Sequence, residues 1–417
     1  RSTLFPYTTL FRSPAGRFSM LKKVIAYALL IIVASGFIYI GHAKVRDIKT
    51  EQDNQAFYKA TVEKLGKKES SQLEIDGVIT NVGENMKFTA IIKSGDKKGT
   101  KIECFQYFDS TLIFTPPAVR TGDKIVVSET LNPTTEKKEW IFVDRDRTGL
   151  LIGLTLIFLL SILLIGKLKG IATILSLIYT VLAVFMIYIP GILHGYNVYK
   201  LTIITVCFIA LLTIPLVNGF NKKALVGILG NLGGVLLAGI LAFVMNDLLF
   251  ISGFLDPDYA LLTTLDSGVS LDLRAIVWGG IVIGALGAIM DISVSLASAL
   301  NELAQEMQEP TFRKMLKAGM NIGTDAIGTM TNTLILAYIG SSLAVVLLLT
   351  AYNKNPLLLF NMEMISVEIL QAVIGSLGII LAVPLTAVFG SYIFIVKSGK
   401  NEKRKAESEA SSETGSV

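Results

Sequence analysis

Histidine and cysteine are almost missing from this chain: 417 residues hold only His42, His194, Cys104 and Cys207. Two cysteines, the second inside an apolar block, exclude an internal disulfide framework. So few thiols and imidazoles also leave a zinc site without ligands, and no metal or cofactor site is expected. A bound cation would have to be held by oxygen. Charge is scarce as well, at 17% of residues where a soluble domain carries about 25%. Apolar residues make up 52% and the mean hydropathy is +0.60. A soluble enzyme, a secreted disulfide scaffold and a disordered chain are excluded. The sequence offers no catalytic constellation, so the chain is not expected to be an enzyme.

What it has instead is apolar blocks of roughly twenty residues, enough to cross a hydrocarbon core of about 30 Å at about 1.5 Å per residue. Residues 1–13 form a near-mirror arrangement around Pro6, Tyr7 and Thr8 that resembles translated adapter DNA. Residues 1–19 are therefore set aside, with Met20 taken as the native start. Lys22 and Lys23 then precede the apolar run Val24–Ile40, whose seventeen residues favour an uncleaved anchor (20–41), although Gly41-His42-Ala43 offers a small-x-small site.

Residues 42–148 are polar and rich in turn signals. Short alternating runs at Leu73–Val82, Lys87–Lys93, Lys101–Phe108, Lys124–Glu129 and Glu139–Val143 suggest a small β-barrel or sandwich of about five strands. The polar stretch ahead of them, if partly helical, would be a stalk. A folded spacer or partner-docking domain is favoured over small-ligand binding. Residues 149–397 return to apolar blocks, placed as helices near 150–165, 171–192, 201–217, 224–245, 275–296, 323–351 and 366–396. With the anchor this gives an α-helical polytopic membrane protein of about eight spans carrying a β domain. The charged tail, 398–417, is expected to be disordered.

Lysine and arginine set the orientation. One set of loops holds Lys167, Lys169, Lys222, Lys223, Arg313, Lys314, Lys317, Lys397, Lys400, Lys403, Arg404 and Lys405; the alternating set holds only Lys200, Arg274 and Lys354. Twelve against three puts both ends in the cytoplasm and residues 42–148 outside. Topology accounts for the positive charge, so nucleic acid is not an expected partner. The acidic loop 247–274, with Asp247, Asp256, Asp258, Asp266 and Asp272, reads as solvated.

An ionisable residue inside a span costs about 2.5 kcal/mol or more and usually faces a cavity or partner. Asp291 is the strongest case. It shares a helix face with Ser295, Ser298 and Glu302 at i, i+4, i+7 and i+11. On the following helix Asp325, Gly328, Thr329 and Asn332 share a face. Asn332 is expected level with Asp291, and Asp325 one or two turns nearer the cytoplasm, so the two helices would form a polar seam. The alternative is that Asp325 caps its helix and Asn332 fastens a neighbour. Gly280, Gly284 and Ala288, and likewise Gly230, Gly234 and Ala238, repeat every four residues, which usually means tight helix packing.

These residues together resemble the YibE/F-like family of bacterial membrane proteins. The resemblance runs from about residue 40 to 397. It rests on Arg120-Thr-Gly-Asp-Lys-Ile, Asn218-Gly-Phe-Asn-Lys-Lys and Gly230-Asn-Leu-Gly-Gly. The most specific segments are Gly284-Ala-Leu-Gly-Ala-Ile-Met-Asp291 and Gly323-Thr-Asp-Ala-Ile-Gly-Thr-Met-Thr-Asn332-Thr-Leu. It implies a multi-pass protein of the bacterial cell membrane and brings no activity with it.

Two classes of function stay open. One is a proton- or cation-coupled permease, with Asp291 as the titrating or coordinating group and Asn332, Thr329 and Ser295 as neutral oxygen ligands; no convincing inverted repeat supports it. The other is a non-transporting assembly, export-accessory or signalling module acting through the β domain. An aspartyl hydrolase is disfavoured, because Met290-Asp291-Ile292 and Gly323-Thr324-Asp325 do not resemble the Tyr-Asp and Gly-x-Gly-Asp pair of those enzymes. Expected partners are the bilayer, a small solute or cation, and a membrane-protein partner or second copy.

Overall fold

A computed structural model describes residues 14–45, 56–75, 78–109, 117–131, 138–255, 257–263, 270–352 and 355–413. The first thirteen residues, and with them most of the set-aside segment, lie outside this description. The chain divides into two compact units, one of residues 49–164 and one of residues 1–48 and 165–417.

The smaller unit holds a closed Greek-key barrel of β1 (Phe57–Ile75), β2 (Val78–Ile92), β3 (Lys101–Asp109), β4 (Lys124–Leu131) and β5 (Lys138–Arg145), ordered β1-β2-β3-β5-β4. All pairings are antiparallel except β3 with β5. Strand alternation turns Ala60, Val62, Phe88, Ala90, Ile92, Ile102, Cys104, Ile125 and Val127 inward. Gln106 shares that interior, where its side chain accepts from the Val119 amide at 3.0 Å and donates to the Pro117 carbonyl at 3.3 Å. This buried amide is thus satisfied. Two expectations are corrected here. Residues 57–72 belong to strand β1, not to a helical stalk, because Lys59, Thr61 and Glu63 alternate with Ala60 and Val62. Gly83-Glu84-Asn85 is no turn; these residues stay paired with β1 and β3.

Asp146 joins the barrel to the following helix. Its carboxylate accepts from the Thr148 amide at 3.1 Å and meets Lys59 of β1 at 3.2 Å. Bonds from Thr148, then from Lys59, hold this carboxyl below the ordinary range.

The helical part begins with α1 (Pro14–Lys44), which stacks Phe37 on Phe208 with centroids 4.3 Å apart. Next come α2 (Thr148–Ala183), a π-helical turn (Val184–Tyr188) and α3 (Ile189–Leu193) in one 46-residue run. Two helices were expected here, at 150–165 and 171–192. They join across Lys167, whose φ of 50° and ψ of −127° break the run. Then follow α4 (Val198–Asn218), α5 (Lys222–Leu248), the short α6 (Pro257–Thr263) and α7 (Leu273–Glu306). After these come α8 (Phe312–Ser341), α9 (Leu343–Tyr352), α10 (Pro356–Asn361) and α11 (Glu363–Glu413). Among the described residues six helices are long and apolar enough to cross a membrane, or seven if α8 and α9, bent by 64°, count as one. The tail also differs from expectation. The α11 backbone stays helical to Glu413, since no proline or glycine interrupts residues 401–413 and alanine, glutamate and lysine propagate helix well.

Local chemistry sets the helix ends. Gly219, at a φ of 85°, ends α4, and Asn221 caps α5 by accepting from the Ala224 amide at 2.8 Å. Asp272 caps α7, and Asp247 pairs with Arg274 at 2.8 Å. Asp256, Asp266 and the Asp258 side chain lie outside the description. Glu363 ties the start of α11 to the loop after α5, accepting from the Ser252 and Gly253 amides at 2.7 and 2.6 Å and from the Ser252 hydroxyl at 2.8 Å.

The core of the helical part is α5, α7 and α11, packed pairwise, with α8 against α11 and α7. Glycine makes the close approach possible. A Cβ on Gly230 would collide with Thr386 of α11, and one on Gly234 would lie 2.8 Å from both Ala382 of α11 and Ile289 of α7. Gly280 faces open space, with nothing within 4 Å of where its Cβ would be. Thermal unfolding of two variants in detergent separates these roles. Gly234→Leu is expected to lower stability by about 1–3 kcal/mol through overpacking, while Gly280→Leu leaves the midpoint unchanged. Equal effects would contradict this packing.

Burial pushes the Cys104 thiol up to about 12. A thiol raised in the folded state stabilises it below the unfolded value of about 8.5, and that contribution fades as pH rises toward the folded value. Cys104 is therefore expected to resist a water-soluble maleimide at pH 8 until denaturant opens the barrel. Rapid labelling of the native chain would show the barrel is not closed.

Candidate functional site

The α5–α7–α11 packing clamps one side of α7 and leaves the other outward. At about 100° per residue, Gly280, Gly284, Gly287, Asp291, Ser295, Ser298 and Glu302 fall within about 40° of Asp291. All are exposed except the half-buried Ser298. This narrow row of small and polar residues runs about 33 Å along the helix, close to the thickness of a hydrocarbon core.

Midway along it, α8 closes a groove of about 360 Å³. Gly287, Ala288 and Asp291 line it from α7, and Thr329, Met330, Thr333, Leu334 and Ala337 from α8. Local sequence explains the opening: with Gly287 and Ala288 a turn before Asp291, no bulky side chain fills the space beside the carboxylate. The Thr329 and Thr333 hydroxyls each donate to a backbone carbonyl one turn back, at 3.0 and 2.8 Å. Each oxygen keeps lone pairs to offer. The site thus joins a carboxylate to two hydroxyl oxygens, a donor set suited to a proton or a hard cation. Among the described residues no group of three or more His, Cys, Asp or Glu side chains could hold a metal ion.

Asp325 and Asn332 do not line this groove. Its α8 wall spans from Thr329 round to Leu334, whereas Asp325 and Asn332 sit about 40° and 60° to the other side of Thr329. Both are exposed, as are Asn321 and Gly328 on the same flank. Asn332 therefore shares the height of Asp291 but not its crevice. Nor does Asp325 start a helix: α8 begins at Phe312, capped by Thr311, so Asp325 lies in its interior. Ser295 and Glu302 continue the α7 row beyond the groove, exposed and away from the α8 wall.

Gly284, one turn before Gly287, faces two groups that sequence reasoning passed over. A Cβ there would lie 2.8 Å from the Tyr338 hydroxyl and 3.2 Å from Nε2 of Gln371. Those two side chains meet at this glycine, with the Glu368 carboxylate within electrostatic reach of Tyr338. The signal was available: Glu368 and Gln371 interrupt an apolar block just as Asp291 does. In the core, Asn231 is wholly buried beside Gly230, and its amide has no hydrogen-bond partner among the described residues.

Comparison with curated proteins and with solved structures yields no match. The sequence pattern of the YibE/F-like protein family matches residues 154–396, the helical region that contains Asp291 and its groove, and leaves the barrel outside. Since that match takes in more than half of the sequence, the chain belongs to the YibE/F-like family.

Proposed function

We propose that this chain is a multi-pass protein of the bacterial cell membrane whose helical part is a permease for a proton or small cation, with Asp291 as the group that binds and releases it. The exposed surface supports a lipid surround: the most apolar window of the α2–α3 run has no buried residue, and Leu150, Ile165 and Leu236 are 83%, 86% and 62% exposed. Such surface is untenable in water and natural in hydrocarbon. The 46-residue run contains enough residues for about 69 Å of helix, more than twice the core thickness. The break at Lys167 fits two crossings there, and eight in all. Lysine and arginine placement then favours cytoplasmic ends and an external barrel.

The observation that carries the transport reading is the groove at Asp291. A carboxylate in a span is costly unless it meets water, a cation or a partner. Here it opens on hydroxyl oxygens and on a row of small residues long enough to reach both surfaces. Glu302 stands toward one end of that row, and Glu368, Gln371 and Tyr338 flank it toward the other. One observation favours a second reading, a non-transporting assembly module. The exposed flank Asn321–Asp325–Gly328–Asn332 of α8 is too polar for lipid and suits a membrane-protein partner or second copy.

Proton entry into vesicles under an imposed potassium diffusion potential separates the two. The wild-type chain is expected to exceed protein-free vesicles, and Asp291→Asn to fall by about tenfold, the factor carried by about 1.4 kcal/mol. Flux at the protein-free rate from wild type would leave the assembly reading standing. Equal flux from both forms would remove Asp291 from the path.

A further inference from the structure

A second cavity lies on the far side of α7, where Trp278 and Val282 sit about 140° and 180° around the helix from Asp291. It holds about 500 Å³ between α4, α5 and α7, with no charged or amide side chain in its described lining. Its floor is buried, with Val235 at 5% exposure, Trp278 at 6% and Val282 at 3%. Its rim is open, and Ile203, Leu236, Ile240 and Phe243 are each more than half exposed. The single polar group on the floor is already satisfied, because the Trp278 indole donates to the Gly239 carbonyl at 2.8 Å. Nothing in it calls for water.

Length and width narrow the occupant. The α5 wall runs from Leu232 to Phe243, about 17 Å and thus about half the hydrocarbon thickness. A helix of that length and about 10 Å diameter has a volume of about 1,300 Å³, so it could lay only one face into this open groove. One unbranched hydrocarbon chain fits. Tyr199 closes one end, its ring 4.9 Å from Trp278 and 5.7 Å from Phe243 between centroids. It stands in the first turn of α4 beside the exposed Lys200. An amphipathic aromatic next to a lysine suits the level of lipid headgroups.

We infer that this groove is a lipid site that seats one acyl chain of a phospholipid, with the headgroup at Tyr199 and Lys200. The inference rests on the membrane reading above and is independent of transport.

The chain has two tryptophans, so Trp140→Phe leaves Trp278 as a lone reporter that meets lipid through the groove. This variant, reconstituted into vesicles, is floated and then compared in plain phosphatidylcholine and in phosphatidylcholine brominated along its acyl chains. With the site saturated by bulk lipid, emission is expected to fall by about half or more. Adding Cys207→Phe, which fills the groove, or Ile203→Phe at its rim, is expected to restore most of that loss. Chains that float but keep full emission, or that stay quenched in both filled variants, overturn the lipid site. Failure to float overturns the membrane reading, and this one with it.

Discussion

The close contact of α5, α7 and α11 through glycine governs everything else in the helical part. Gly230 and Gly234 bring α5 onto Thr386, Ala382 and Ile289 at distances that admit no further carbon. With Ile281, Ile289, Ile292, Leu296 and Leu300 of α7 committed to this contact, the helix has no rotational freedom left. Its opposite face, from Gly280 to Glu302, must point outward. The Asp291 groove follows from that fixed rotation together with the absence of bulk at Gly287 and Ala288. The acyl-chain groove follows from it too, since the same clamp sets Trp278 at the base of the cleft beside α4.

Much of the architecture was legible because bilayer-length apolar runs and strand alternation are one-dimensional signals. Four of the five strands and the positions of the long helices follow from them. The height of Asn332 relative to Asp291 was also readable, since it needs only the rise per residue. Its direction was not. Thr329 and Asn332 count as one face on a helical wheel, yet the groove begins at Thr329 and turns away from Asn332. Which side of α8 meets α7 depends on where α11 lies, a tertiary fact. The start of α8 was missed for a related reason: residues 312–322 are amphipathic and escape a search for hydrophobicity. Residues 57–68 were missed because their alternation runs through lysine and glutamate.

The polar groups thus form two features where one seam was expected. Asp291, Thr329 and Thr333 belong to a recess within the bundle, while Asp325 and Asn332 belong to an outer flank. That separation gives the two functional readings different residues, and each can be true without the other. The barrel enters neither argument directly. It is a closed barrel outside the region matched to the family, linked to α2 by the bonds of Asp146.

The central claim is that one face of α7 is wet along its length while the rest is sealed. Water-soluble thiol labelling of single cysteines along α7, in a background lacking Cys104 and Cys207, measures this most directly. Labelling at 284, 287, 291, 295 and 298, with protection at 281, 289, 292 and 296, is the result the account predicts. Uniform protection, or labelling that does not follow the helical period, would contradict it.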